Sequence, residues 1–213
     1  MPTIDEARAW YPENDPVHGF DHVLRVYHMG EYLAKVEGAD IEIVRAAALL
    51  HDACGSETSG GEEGRSDHHN ASADFARRIL EAEGWLDERI RAVQHCILAH
   101  RFRDDRQPPQ TLEAKVLFDA DKLDVIGAIG VARTIAYDVV VGQPIYAEPS
   151  ERFKQTEEKE EGEAHSSYHE YLFKLSKIKE RLYTPSARAL AEKRHEFMVN
   201  FFNRLRAEIN LQA

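Results

Sequence analysis

Apolar residues recur at three- and four-residue steps along almost the whole chain, and this spacing constrains the fold more than any other feature. It places apolar side chains on one face of an α-helix, whereas a half-buried strand needs strict alternation. We find no convincing alternating stretch. We therefore predict an all-α protein, built as a helical bundle with short connections and one long polar insertion after the central helices.

The chain has 213 residues, of which 43% are hydrophobic, so it can bury one sizeable core. We predict a single domain over residues 1–213, with a helical core over about 18–141 and C-terminal helices over about 165–212, the first of which spans about 165–181. Between them, residues 142–164 are polar, contain prolines and end in an acidic run. We expect this segment to be a mobile excursion that is either a lid or disordered.

The net charge of -11 argues against a nucleic acid polymer or an anionic membrane as the main partner, because both attract concentrated positive charge. No apolar run is long enough to span a bilayer, and the first residues lack the pattern of a secretory signal. Cys54 and Cys96 read as reduced thiols rather than a disulfide framework. We expect a cytoplasmic protein. Phe197, Phe201 and Phe202 are predicted to lie in the core or on a homodimer surface.

The most apolar stretch of the chain, IVRAAALLHDA, ends in the doublet His51-Asp52. A histidine and a carboxylate at the end of a buried helix are costly unless they are paired, hydrogen-bonded or bound to metal. Imidazole and carboxylate together suit transition metals such as Mn, Fe, Ni, Co or Zn. His22 lies near the start of an earlier amphipathic helix, and Asp121 lies in a later one. Helices that face one another in a bundle commonly assemble such a site.

The order His22, His51-Asp52, Asp121 resembles the HD-domain superfamily of metal-dependent phosphohydrolases. More narrowly, several segments are similar to the small stand-alone bacterial HD hydrolases: HGFDHVLRVYHMGEYL, VRAAALLHDAC, ILAHRF and TLEAKVLFDADKLDVIGAIGVAR. The resemblance covers roughly residues 18–147. It implies an all-α HD fold, a divalent metal (Mn, Ni, Co, Fe, Zn or Mg) held by the four residues of that order, and hydrolysis of a phosphoester or phosphoanhydride by a metal-activated water. A nucleotide is the leading substrate class, with pyrophosphate release from nucleoside triphosphates as one form of the reaction.

Charge that builds on phosphoryl oxygens during attack needs fixed cations. We assign this role to Lys122, beside Asp121, and then to Arg25, three residues after His22; with Asp52 and Asp121, Lys122 forms the predicted catalytic set. For Arg101, Arg103 and Arg133 we favour surface or ion-pair roles. Some relatives place an acidic residue shortly after the doublet; the nearest here are Glu57, Glu62, Glu63 and Asp67, so the general acid and base stay unassigned.

His69 and His100 are expected to bind substrate phosphate or to support the metal ligands rather than to hold a second ion. Other aspartates, cysteines and histidines near these positions are expected to be structural. Asp119 and Asp124 are predicted to cap, to pair with basic neighbours or to face solvent, and Cys54 is predicted to be a small buried thiol. Five of the other histidines are assigned no chemistry: His18, His28, His165, His169 and His195.

Two other functions fit the same residues. One is a catalytically silent HD module that senses a nucleotide or a partner, although the complete ligand set counts against it. The other is a dimetal oxygenase on the HD scaffold, which requires His69 and its neighbours to hold iron. A helical bundle with incidental histidines ranks last.

Overall fold

The computed structural model describes residues 1–12, 19–55, 68–101 and 107–212. These residues form helices and contain no strand, so the all-α prediction is confirmed. The helices are α1 (Ile4–Arg8), α2 (Phe20–Glu37), α3 (Ile41–Leu50), α4 (His68–Ala82), α5 (Asp87–Leu98), α6 (Leu112–Leu123), α7 (Gly127–Val140), α8 (Glu151–Thr156), α9 (Ser167–Phe173), α10 (Ile178–Arg181) and α11 (Pro185–Ile209), with a 3-10 turn at Leu175–Lys177. No helix in the described ranges is long and apolar enough to cross a membrane.

The chain divides into two compact units. Unit 1 comprises Met1–Lys122 and Leu182–Ala187, and unit 2 comprises Leu123–Arg181 and Arg188–Ala213. The described HD-type residues His22, His51, Asp52 and Asp121 all belong to unit 1. The single domain over the full chain stays a prediction.

Helix α3 lies at the centre of unit 1, where it contacts α1, α2, α4 and α5. Most of its residues are buried, including Leu49 and Leu50, which are fully buried. A fully buried leucine contributes about 1.5–3 kcal/mol relative to an exposed one. The almost uniformly apolar sequence of this helix therefore fixes it in the core. The His51-Asp52 doublet directly follows this well-packed helix.

Two residues that local pattern marks as a helix end and a helix start, Gly38 and Asp40, separate α2 from α3. Gly38 ends α2 in the left-handed conformation, with φ of 81°, which glycine adopts without steric cost. Asp40 caps α3, because its side chain accepts hydrogen bonds from the backbone N–H groups of Glu42 and Ile43. The two helices are joined by a connection of three residues, and α2 packs against α3.

In unit 2, the predicted continuous helix over residues 165–181 is wrong. Ser166 caps α9, whereas Lys174 leaves the helical conformation with φ of -128° and separates α9 from the 3-10 turn. Leu175 and Ile178 are buried on the two sides of this turn. Burial of these side chains, rather than a glycine or proline in the sequence, accompanies the break.

The polar segment over residues 142–164, predicted as a mobile excursion, contains regular secondary structure, and its action as a lid stays a prediction. It contains α8, capped by the Ser150 side chain, and Phe153 is buried. The Glu163 carboxylate accepts hydrogen bonds from the backbone N–H of Ser150 at 2.8 Å, from its hydroxyl at 2.7 Å and from the Glu160 N–H at 2.7 Å. These bonds close the segment on itself.

The aromatic residues of α11 divide between core and surface. Phe202 is fully buried and stacks on Tyr171 with ring centroids 4.4 Å apart, whereas Phe197 is half exposed. Phe202 is therefore a core residue. A homodimer surface that includes Phe197 stays a prediction.

Candidate metal centre

The candidate site in unit 1 forms where the ends of several helices meet. His22 lies in the first turn of α2, His51 and Asp52 follow the last residue of α3, and Asp121 lies in the last turn of α6. His22, His51 and Asp121 are buried, and the Asp52 side chain is only 10% exposed. Burying four such polar groups costs free energy, which hydrogen bonds, ion pairs or a bound metal ion must offset.

The ligand atoms lie close together. One nitrogen or oxygen atom from each of His22, His51 and Asp52 lies within 4.8 Å of the others. Nε2 of His22 is 3.4 Å from Oδ1 of Asp121, and Nε2 of His51 is 3.5 Å from Oδ2 of Asp52. Two atoms that each lie about 2 Å from one ion are separated by roughly 3–4 Å. His22, His51 and Asp52 therefore form a cluster that can hold a divalent metal ion.

The hydrogen bonding of His51 fits a metal ligand. Its Nδ1 lies 2.8 Å from the carbonyl oxygen of Ala48, so Nδ1 carries the proton and Nε2 presents its lone pair. Nε2 is buried and has no hydrogen-bond partner among the described residues. A buried acceptor without a donor is costly. A cation at Nε2 would satisfy this atom.

The protonation states also suit a cation. Burial is the main cause that lowers the pKa of His51 to about 4. Among its neighbours, Asp52 and Asp121 act to raise this pKa, whereas His100 and His22 act to lower it. Burial would raise the pKa of Asp121, but the Lys122 ammonium and a hydrogen bond from His22 hold it well below its usual range. The imidazole is therefore neutral and the carboxylate ionised at neutral pH, as metal binding requires.

Lys122 lies directly beside the site. Its Nζ is 2.5 Å from Oδ2 of Asp121, leaving Oδ1 directed toward His22. The ammonium also lies 5.4 Å from the centroid of the Phe118 ring. Only 8% of Lys122 is exposed. Lys122 therefore places a fixed positive charge next to the ligand cluster.

His100, at the end of α5, belongs to the same cluster. Its ring centroid is 5.3 Å from that of His51, and its Nε2 lies 3.5 Å from Oδ1 of Asp52. Like His51, it places Nδ1 against the backbone carbonyl three residues earlier, that of Ile97, at 2.5 Å. The structure thus brings together His22, His51, Asp52, His100, Asp121 and Lys122.

The other two predicted substrate-binding residues have different settings. Arg25 lies on α2 one turn after His22 and pairs with Asp21 at 2.6 Å, with about a third of its side chain exposed. His69 is buried in the first turn of α4. Substrate binding by either residue stays a prediction.

Asp119 and Asp124 have the structural roles that we expected. Asp119, on α6, accepts hydrogen bonds from the backbone N–H groups of Tyr183 and Thr184 and from the Thr184 hydroxyl, at 2.7–2.9 Å. In unit 2, Asp124 pairs with Arg133 at 2.8 Å, which confirms the ion-pair role for that arginine. Neither carboxylate belongs to the ligand cluster.

Two further expectations can be checked in the described residues. His169 is fully buried between the Ser166 hydroxyl and Glu163, at 2.7 and 3.0 Å, which confirms a structural role. The prediction that Cys54 is buried is wrong, because the side chain is only partly covered in the turn that follows the doublet. The predicted candidates for an acid or base and two other residues lie outside the described residues: Glu57, Glu62, Glu63, Asp67, His18 and Arg103.

Sequence reasoning missed two residues beside the doublet. The Tyr11 hydroxyl donates a hydrogen bond to the carbonyl of Leu49 at 2.9 Å, and the Ser72 hydroxyl accepts one from the Cys54 N–H at 3.2 Å. Both residues are buried. Neither belongs to a motif, and their contacts span 38 and 18 residues along the chain, so no local pattern could have indicated them.

Comparison with known proteins agrees with this geometry. A family model described as the HD domain matches residues 19–126. The Bacillus subtilis (strain 168) protein YpgQ is 32% identical over 212 residues, which cover 96% of this chain and 93% of YpgQ.

Solved structures extend the likeness to the fold. The crystal structure of Bacillus subtilis YpgQ in complex with ADP matches with a TM-score of 0.72 and 29% identity, covering 97% of this chain and 98% of that one. The crystal structure of an HD-superfamily hydrolase from Bacillus thuringiensis matches with a TM-score of 0.69 and 28% identity, covering 97% and 94%.

Proposed function

Because the chain belongs to the HD-domain family, we propose that it is a metal-dependent phosphohydrolase that cleaves a phosphoester or phosphoanhydride bond in a nucleotide. The observation that carries this proposal is the buried cluster around His51, whose Nε2 has no hydrogen-bond partner among the described residues and faces Asp52. The ADP bound to the similar YpgQ supports a nucleotide as the substrate class. Pyrophosphate release from a nucleoside triphosphate is the form of the reaction that we propose to test first.

The proposed ligands are His22, His51, Asp52 and Asp121. Two imidazoles and two carboxylates suit Mn, Fe, Co, Ni or Zn. When bound, such an ion lowers the pKa of a coordinated water to near 7 and draws charge from a phosphoryl oxygen. The ionised state of Asp121, maintained by Lys122, keeps the ligand set ready for a cation at neutral pH.

The residues around the ligands would handle the phosphate. The Lys122 ammonium, fixed 2.5 Å from Asp121, is placed to stabilise negative charge that develops during attack. His100 would donate or accept a hydrogen bond at the phosphate or at Asp52 through Nε2, since its Nδ1 is committed to a backbone carbonyl. Arg25 and His69 would bind more distant phosphate groups. All of these roles are assigned to residues that the structure describes.

The test is release of phosphate or pyrophosphate from a panel of nucleoside mono-, di- and triphosphates, with Mn, Co, Ni, Zn or Mg added to chelator-treated protein. We compare the wild type with Asp52→Ala and with Asp87→Ala, a matched control at an exposed aspartate on α5. Metal-dependent release that is lost only in Asp52→Ala supports the proposal.

The same experiment separates the alternatives. Stoichiometric metal binding without release from any nucleotide would contradict the nucleotide hydrolase and favour another phosphate ester or oxygenase chemistry. Nucleotide binding without metal and without turnover would favour a silent sensing module.

A further inference from the structure

Tyr11 connects the N-terminal segment to two elements that carry candidate metal ligands. It follows α1 and is only 6% exposed. Its ring packs against Phe20, with centroids 5.7 Å apart, and Phe20 is the first residue of the helix that carries His22. Its hydroxyl reaches the Leu49 carbonyl at the end of α3. One side chain therefore contacts the start of α2 and the end of α3.

The Tyr11 hydroxyl holds the last turn of α3, directly before the doublet. It donates to the carbonyl of Leu49 at 2.9 Å. Carbonyl groups in the last turn of a helix lack regular helical partners. The Tyr11 hydroxyl supplies such a partner two residues before His51.

Other contacts fix the same turn from different directions. The His51 ring is held by the Ala48 carbonyl at 2.8 Å, and the Cys54 N–H is held by the Ser72 hydroxyl at 3.2 Å. The first bond orients the His51 imidazole, and the second holds the backbone of Cys54. The Asp52 carbonyl accepts a hydrogen bond from the Gly55 N–H at 3.3 Å, and the Leu49 carbonyl accepts the one from Tyr11.

The chemistry of Tyr11 fits orientation rather than reaction. Burial is the largest cause that raises the pKa of its phenol well above the usual value, and the charge of Asp52 adds to it, so the hydroxyl keeps its proton. That proton is already donated to the Leu49 carbonyl. A group in this state neither exchanges a proton nor attacks a phosphate.

We propose that Tyr11 is a positioning residue for the metal centre, whose hydroxyl holds the end of α3 so that the His51-Asp52 doublet that follows is placed to bind the ion. Partners that orient metal ligands typically change metal affinity by 10- to 100-fold when they are removed. The inference uses the metal site on which the proposed function also rests, but it makes no assumption about the substrate.

The test is Tyr11→Phe, which keeps the ring against Phe20 and removes only the hydroxyl. We expect the Kd for Mn²⁺, measured by isothermal titration calorimetry at 25 °C on chelator-treated protein, to rise roughly tenfold. The visible absorption bands of the Co²⁺-loaded protein should shift, because they report the arrangement of the ligands. Thermal scans of the metal-free protein measure any separate effect on folding.

The matched control is Tyr27→Phe, the same change at a buried tyrosine on α2, whose ring lies near His28 and Arg45. A Kd within twofold of the wild type in Tyr11→Phe would overturn the proposal, whatever the melting temperature. Equal weakening in Tyr27→Phe would overturn it as well, because the effect would not be specific. Failure of the wild type to hydrolyse any nucleotide, with Mn²⁺ binding intact, would contradict the proposed function and leave this test valid.

Discussion

Nε2 of His100 lies 3.5 Å from Oδ1 of Asp52, and Nε2 of His51 lies 3.5 Å from the other carboxylate oxygen, Oδ2. Asp52 thus directs one oxygen toward each imidazole. A second imidazole this close leaves the Asp52 carboxylate less room to rotate before an ion arrives.

We predict that His100→Ala still binds one equivalent of metal but loses 10- to 100-fold in kcat/KM, because His100 supports Asp52 and the substrate rather than the ion itself. Metal content by mass spectrometry and steady-state kinetics measure the two quantities. His28→Ala, an exposed histidine on the same helix as His22, is the control. A fall from two bound ions in the wild type to one in the variant would instead make His100 a metal ligand.

Lys122→Met should lower kcat by roughly 10²–10³-fold, since it removes the fixed charge proposed to stabilise the phosphoryl oxygens. Metal content is measured alongside, because Lys122 also lowers the pKa of the Asp121 carboxyl. Lys115→Met, on the same helix, controls for the loss of a lysine. If kcat stays within threefold of the wild type, Lys122 has no role in the chemical step.

Asp119→Ala should lower the free energy of unfolding by about 3 kcal/mol or more, because it leaves the donors of Tyr183 and Thr184 without their acceptor in the interior. Urea denaturation of the metal-free protein measures the change. Asp119→Asn keeps one carbonyl oxygen and should lose less. Equal stability of wild type and Asp119→Ala would show that water replaces the carboxylate.

Glu163→Gln tests the hydrogen bonds that Glu163 accepts from Ser150 and Glu160 within residues 142–164. Hydrogen bonds from the Ser150 backbone, and then from Glu160 and His169, lower the pKa of Glu163 to about 2. A carboxylate whose pKa is lower in the folded state stabilises the protein above its unfolded pKa of 4.5, and this contribution is lost as the pH falls toward 2. The melting temperature of Glu163→Gln should therefore be several degrees below that of the wild type at pH 7.

The difference between the two proteins should narrow as the pH falls below 4.5. Glu161→Gln, an exposed residue of the same acidic run, should show no difference at either pH. A gap in melting temperature that is independent of pH would argue against an ionised Glu163 in the folded state.

The helices and the ligand order could be predicted because both depend on local pattern. Asp40 and Gly38 mark helix ends by their own side-chain and backbone properties, and the apolar run before His51 requires burial wherever it occurs. The break at Lys174 could not be predicted, since no helix-breaking residue precedes it. The structure within residues 142–164 was missed because Glu163 looks like part of a solvated acidic run until its donors are known.

The residues around the candidate ligands could likewise be predicted from the sequence only in part. A histidine followed by an aspartate stands out in the sequence, whereas Tyr11 and Ser72 are common residues whose importance comes from contacts across the chain. Asp119 and Asp121 occur two positions apart with the same chemistry. Only the packing shows that the first accepts hydrogen bonds from Tyr183 and Thr184 while the second faces His22.

The bond between Asp119 and the Tyr183 backbone spans 64 residues. A ribosome adds about 5–20 residues per second, so roughly 3–13 s separate the synthesis of the carboxylate from that of its donors. During this interval the helix that carries Asp121 has been synthesised while the Asp119 beside it still lacks these partners. Completion of the centre during biosynthesis thus depends on a segment that contributes no candidate ligand.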